Sequence, residues 1–291
     1  MSEGSTALER QIVSQPERLE AVLERPLPRS AVERLGDASR IWLVGTGTSQ
    51  HAAELGASMF REGGRAAHAM SSMSFANRTP PLADGDALVL ISHNAGAETA
   101  YAGAAWTLMT EAGLPAVAIT RVGGALPDPV ETVEKETSHT YTVSYTAALV
   151  QLARLAFELG AEPFGPGALS RIPDAVRSAI ADPVDVGQPQ RLLVITGEGP
   201  AGVTAREGAL KVREASRFPA EGYDVEYLLH GHAVPLDASD HLVTLAPPDT
   251  QGLTAGVETA AQAVGIGVTR IEEKADLPAL LAQIPLIVRL Q

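Results

Sequence analysis

The sequence contains no cysteine, which excludes disulfides, thiolate metal ligands, a thiol nucleophile and any cysteine-dependent glutaminase activity. Basic residues are outnumbered, 22 Lys and Arg against 35 Asp and Glu, for a net charge of −13. No Lys/Arg run is present, so the basic face that counterion release on nucleic acid requires is missing. No run of about 18 apolar residues occurs that would suit a transmembrane helix. The amino terminus, MSEGSTALERQIVSQPERLE, lacks the basic start and apolar core of a secretory signal. These absences predict a cytoplasmic protein that binds neither nucleic acid nor membrane. A small anion is still an acceptable ligand, because helix amino termini bind anions whatever the global charge.

What is there is an ordinary globular composition, 45% hydrophobic and 20% charged over 291 residues, enough for two domains. An internal repeat organises it. RIWLVGTGTSQHAAELGASMF (Arg40 to Phe60) lines up with RLLVITGEGPAGVTAREGALKV (Arg191 to Val212), placing Gly45, Gly47, Gly56 and Ala57 on Gly197, Gly199, Gly208 and Ala209. The match continues from DALVLIS to DHLVTLA and from VAITR to IGVTR. Each copy runs from an apolar segment through a Gly turn into an Ala-rich helical stretch, the order of a βαβ unit in a parallel sheet. The predicted fold class is therefore α/β, with two repeated doubly wound parallel-sheet domains of flavodoxin-like type. The expected boundaries are leading helices at 1–35, a first domain at 36–160, a connecting helical segment at 161–188 and a second domain at 189–291.

Ligands of such sheets sit beyond the carboxyl ends of the strands. Three turns qualify: GTGTS (Gly45 to Ser49), SHNAGAET (Ser92 to Thr99) and GEGPAG (Gly197 to Gly202). The third is formally G-x-G-x-x-G, a dinucleotide signature. Its repeat partner has Gln50 in place of the last glycine, and Pro200 lies inside the turn, so the shared feature is a close strand-to-helix turn. No cofactor is expected. The first two turns put the hydroxyls of Thr48, Ser49, Ser92 and Thr99 beside backbone N–H groups, which suits a phosphate monoester. The competing reading is that these side chains only cap helices.

GTGTS, SHNAGAET, EKETSHTYTVSYTAAL and REGALKVREASRFPAEGYDVEYLLHGH together resemble the sugar isomerase (SIS) domains, in particular the tandem pair forming the isomerase half of glucosamine-6-phosphate synthase. The resemblance runs from about Ile12 to the end of the chain. It implies that Thr48, Ser49, Ser92 and Thr99 bind the phosphate of a sugar. It further implies that Glu214, in ALKVRE, is the catalytic carboxylate and that His230, in LLHGH, opens the sugar ring. Lys211, three positions before Glu214, is expected to face the site or pair along the helix. His93, Asn94 and Tyr141 stand where the family has a Gln, a Ser and a ligand-contacting Ser, and the second turn is two residues longer. His230 and His232 suggest a metal pair, but no acidic or His partner pattern accompanies them, so no metal is expected.

The chemistry explains the pair of Glu and His. Aldose–ketose isomerisation moves a proton between C2 and C1 through a cis-enediol or enolamine, so one carboxylate removes and returns it. An imidazole near its pKa shuttles the ring-opening proton. The family's His comes from a neighbouring subunit, which implies a homodimer with the site at the interface. Family synthases continue past IPLIVRLQ into a further helix and a tail Lys, so glutamine-dependent synthesis is not expected of this polypeptide alone. The expected function is isomerisation or deamination of an amino sugar or ketosamine phosphate. The alternatives are a sugar-phosphate sensor or partner subunit without turnover, and a nucleotide-dependent oxidoreductase.

Overall fold

The computed structural model describes residues 5–78, 80–94, 100–187 and 189–291, which form two compact units divided between Pro173 and Asp174. The first unit opens with helices α1 (Ala7–Val13), α2 (Gln15–Glu24) and α3 (Arg29–Gly36). Thr6 and Glu9 close a capping box at the start of α1, satisfying two otherwise unpaired N–H groups. Leu19, Val22, Ala31 and Leu35 are buried, so these leading helices are part of the first unit's core.

The chain then alternates β1 (Arg40–Gly45), α4 (Thr48–Glu62), β2 (Ala67–Ser71), α5 (Ser72–Asn77), β3 (Asp86–Ile91), α6 (Ala100–Glu111), β4 (Ala116–Thr120), β5 (Val130–Glu131) and α7 (Val143–Glu158). The sheet order is β2-β1-β3-β4-β5, and every pairing is parallel. That is the flavodoxin-like order, with its switch point between β1 and β3. Phe75, Ala102, Ala105 and Met109 pack with Val44, Leu88 and Leu90 on one face. On the other, Gly56 lets α4 approach Leu152 of α7, where a Cβ would lie 2.8 Å from a leucine methyl. The expected connecting segment contains a short 3-10 turn at Glu162–Phe164, α8 (Pro166–Leu169) and α9 (Ile172–Ala181), and the unit boundary falls inside α9.

The second unit alternates β6 (Leu193–Gly197), α10 (Pro200–Ser216), β7 (Ala220–Asp224), α11 (Val225–Tyr227), β8 (His241–Ala246), α12 (Leu253–Ala263), β9 (Gly267–Glu272) and α13 (Ala279–Leu290). Its parallel sheet has the order β7-β6-β8-β9. Helices α10 and α13 cover one face through Ala201, Ala205, Ala209 and Leu286. The other face is covered by Val225 and Leu228 beside α11 and by Val257 and Ala261 of α12. A fully buried leucine in such layers contributes about 2 kcal/mol.

Two local devices recur in both units. Gly47 (φ 56°, ψ −124°) precedes α4 and Gly199 (φ 53°, ψ −119°) precedes α10, a backbone conformation that only glycine adopts without strain. Arg40 grips Asp86 through Nε and Nη2, both at 2.7 Å, and Arg191 grips Asp240 through Nε at 2.9 Å and through Nη2. Each arginine also donates to a proline carbonyl, Pro81 or Pro235, tying the start of the strand to the loop before its neighbour. Among the described residues no helix is long and apolar enough to cross a membrane.

Candidate functional site

The switch point of the first sheet gathers the first two turns. Val44 of β1 pairs with Leu90 of β3, so the Gly45–Ser49 turn and Ser92 emerge from adjacent strand ends. The N-cap of α4 is Gly47, and no side chain caps this helix. Thr48 and Ser49 are the first helical residues. Ser92 is buried directly after β3, its N–H donating to Ile119 O at 3.0 Å. Thr99 lies outside the described residues.

His93, Asn94 and Tyr141 come together. Asn94 Nδ2 donates to the Tyr141 hydroxyl at 3.0 Å, and the His93 and Tyr141 rings are 5.2 Å apart. The Glu136 N–H donates to His93 Nε2 at 3.3 Å, while Nδ1 is buried without a hydrogen-bond partner among the described residues. A nitrogen that accepts from a backbone N–H has no proton of its own, so the neutral ring carries its proton on Nδ1. Burial holds this imidazole below the ordinary histidine range; Glu136 opposes the effect, and Arg121 and Lys135 add to it.

Glu136 escaped the sequence reading as a site residue. Its buried carboxylate accepts from Ser144 N at 2.8 Å and Thr142 N at 3.1 Å, securing the amino end of α7 beside the His93 turn. The signal was an acidic residue a few positions before a helix start.

In the second unit Lys211 pairs along its helix. Its Nζ lies 2.8 Å from Glu214 Oε2 and 3.3 Å from Glu207 Oε1. Lys211 and Glu207 are buried, whereas the Glu214 side chain is 36% exposed and is the one member of the row open to a ligand. Glu207 is not among the expected site residues, although its four-residue spacing from Lys211 is legible in the sequence.

His230 and Glu214 are not brought together within this unit. Helix α10 runs back along β7: Gly202 lies beside Asp224 and Gly222 beside Ala205, while Arg213 reaches Ala220 O at 2.7 Å. Glu214 therefore sits level with the start of β7. His230 follows the end of β7 in a loop covering the opposite face of the sheet.

The GEGPAG turn holds an internal anion. Glu198 accepts from Gln251 N (2.8 Å), Thr254 N (2.9 Å) and Thr254 Oγ1 (3.1 Å), so its carboxylate sits on the amino end of α12. Partial burial would raise this carboxyl, but the Thr254 and Gln251 N–H bonds outweigh it and hold the carboxyl below the usual carboxylate value. The second sheet's switch point between β6 and β8 is thus closed by the chain's own acid. Next to His230, the His232 ring is 4.5 Å from Tyr223 and 5.7 Å from Tyr227. Burial first, then Glu221, pushes the Tyr223 phenol up to about 12. Among the described residues no group of three His, Cys, Asp or Glu is placed to hold a metal ion.

A doubly wound sheet with hydroxyl-bearing turns at its switch point defines an α/β protein suited to an anionic small ligand. Comparison with known proteins makes this more specific: residues 34–156 match the SIS domain model. That match lies within the first unit and corrects the expectation of a tandem SIS pair to a single matched domain. In the second unit's turn Glu198 and Pro200 stand where the first unit has Thr46 and Thr48.

The chain is 27% identical over 263 residues to the glutamine–fructose-6-phosphate aminotransferase [isomerizing] of Thermococcus kodakarensis, a match covering 82% of this chain and 43% of the relative. It thus spans about two fifths of that relative's length. Among solved structures it is similar to tagatose-6-phosphate ketose/aldose isomerase from Escherichia coli, with a TM-score of 0.83 and 17% identity over 98% of this chain and 91% of that one. Glucosamine-6-phosphate deaminase from Thermotoga maritima gives a TM-score of 0.79 and 18% identity over 98% and 92%. The α/β fold with parallel sheets is shared with these two solved structures.

Proposed function

We propose that the chain is a cytoplasmic sugar-phosphate isomerase or deaminase acting on an amino sugar or ketosamine phosphate, without glutaminase activity. The observation that carries this reading is the Glu207–Lys211–Glu214 row. Burying a Lys and a Glu together is costly, and here their charge ends at one half-open carboxylate. In this reading Glu214 takes the proton from C1 or C2 of the open-chain sugar and returns it to the neighbouring carbon. Lys211 holds the carboxylate in place. Thr48, Ser49, Ser92 and Thr99 receive the phosphate, with His93, Asn94 and Tyr141 bordering it.

His230 opens the ring. Because it and Glu214 belong to opposite faces of one sheet, we assign them to one substrate only across a homodimer, each site taking its His from the second copy. The second unit is read as a divergent copy of the first, on the shared sheet order and the matched glycine turns.

A second reading is a sugar-phosphate sensor or partner subunit without turnover. It is favoured by the Asn94–Tyr141 bond, which engages a side chain of the phosphate turn with one from the segment before α7. Proton NMR in D2O of fructose 6-phosphate and glucosamine 6-phosphate, each incubated with the protein, separates the two. Deuterium entry at C1 or C2 is the expected result, and ammonia release then distinguishes deaminase from isomerase. Binding with no exchange for either sugar would favour the sensor.

A further inference from the structure

We propose that His232, clasped between Tyr223 and Tyr227, is a positioning residue that fixes the His230 imidazole for proton transfer. The inference rests on the ring-opening role read for His230 above. His230 Nδ1 lies 2.8 Å from Glu226 O. A carbonyl oxygen only accepts, so Nδ1 carries the proton and Nε2 keeps its lone pair. That nitrogen is the one able to take a hydroxyl proton from a sugar, and the residue is exposed.

The backbone that presents this ring is not held by helix geometry. His230 (φ −94°, ψ 47°) and Gly231 (φ 113°, ψ −23°) leave the helical region, and the Gly231 conformation is one a side chain would oppose. Such a pair swivels unless both its ends are anchored. The near end is Leu228, 1% exposed in the apolar cluster with Val194, Val225 and Leu242, with its carbonyl accepting from Ala233 N at 2.9 Å. The far end is His232 together with Ala233, which packs against the same apolar cluster. The His232 ring is inclined 30° to that of Tyr223 and 24° to that of Tyr227. Tyr223 is the penultimate residue of β7, so this stack ties the swivel to the sheet. Val234 is 85% exposed, and past the stack its N–H bonds only back to Gly231 O, at 3.2 Å, which lies inside the swivel itself.

The test compares His232→Ala, which removes the stack, with His232→Phe, which keeps a ring. Nitrogen-15 NMR of the full chain reads the tautomer of His230 directly. The expected result is a protonated Nδ1 and bare Nε2 in wild type and His232→Phe, and tautomer-averaged shifts in His232→Ala. In the phosphosugar assay His232→Ala loses between about 10- and 100-fold in kcat at unchanged KM, and His232→Phe recovers it. Wild-type nitrogen shifts for His230 in a folded His232→Ala protein would overturn the proposal. Should wild type exchange no sugar proton, the proposed function fails, while the nitrogen shifts still decide the clasp.

Discussion

Glu214 and His230 stand on opposite faces of the second sheet, one on α10 and the other in the loop after α11. In the proposed homodimer, two copies that exchange His230 bring both to one substrate.

Subunit complementation follows from that separation. Glu214→Gln and His230→Ala are each expected to be inactive. Mixed under conditions that allow subunit exchange, they should recover about a quarter of wild-type activity, because half of randomly formed dimers are mixed and each restores one of two sites. Light scattering on the wild-type protein should give a dimer. A monomer, or mixtures that stay inactive, would remove the exchanged-histidine arrangement.

Lys211 is expected to matter for stability as well as for the site. Lys211→Met removes the cation beside the buried Glu207 carboxylate, a loss on the order of 3–5 kcal/mol. The double variant Glu207→Gln/Lys211→Met should regain part of it, since no lone charge is left behind. Urea denaturation of the single and double variants measures the difference.

The fold was legible wherever glycine was compulsory. Gly47 and Gly199 adopt nearly the same positive-φ conformation, and Gly45 and Gly197 allow the following helix to pass close by, which is why the repeat showed in those letters. The two-residue strand β5 was invisible because Val130–Glu131 is too short to show an alternation. In the candidate site, Lys211 and Glu214 were readable from helical spacing. Glu198 was not, because it caps a helix through Gln251 and Thr254, more than fifty positions away. Long-range capping leaves no periodic trace.

Glu198 gives an acid-side signature. Its folded carboxyl titrates below the ordinary value of 4.5, so its contribution is fully present above that pH and drains away as pH falls through the folded value. Glu198→Gln should therefore lower the melting temperature near neutral pH and flatten its decline below pH 4.5. Parallel melting curves for the two proteins at low pH would count against the bonds to Thr254 and Gln251.

His93 acts in a higher window. Burial lowers its folded pKa beneath the ordinary 6.5, so the unfolded chain binds the proton more readily. Stability is complete above pH 6.5 and falls as pH drops from there through the folded value. His93→Gln, whose amide oxygen can accept from Glu136 N, should remove that step while leaving the fold intact. Thermal melts across the same pH range check it.

The most direct test of the account compares wild type with Glu214→Gln for deuterium entry into fructose 6-phosphate and glucosamine 6-phosphate, with calorimetry to measure binding. Exchange is expected in wild type, with a loss on the order of 100- to 10,000-fold in the variant and near-equal affinity in both. Undiminished exchange in a variant that still binds would contradict the assignment of Glu214 as the proton-transfer base.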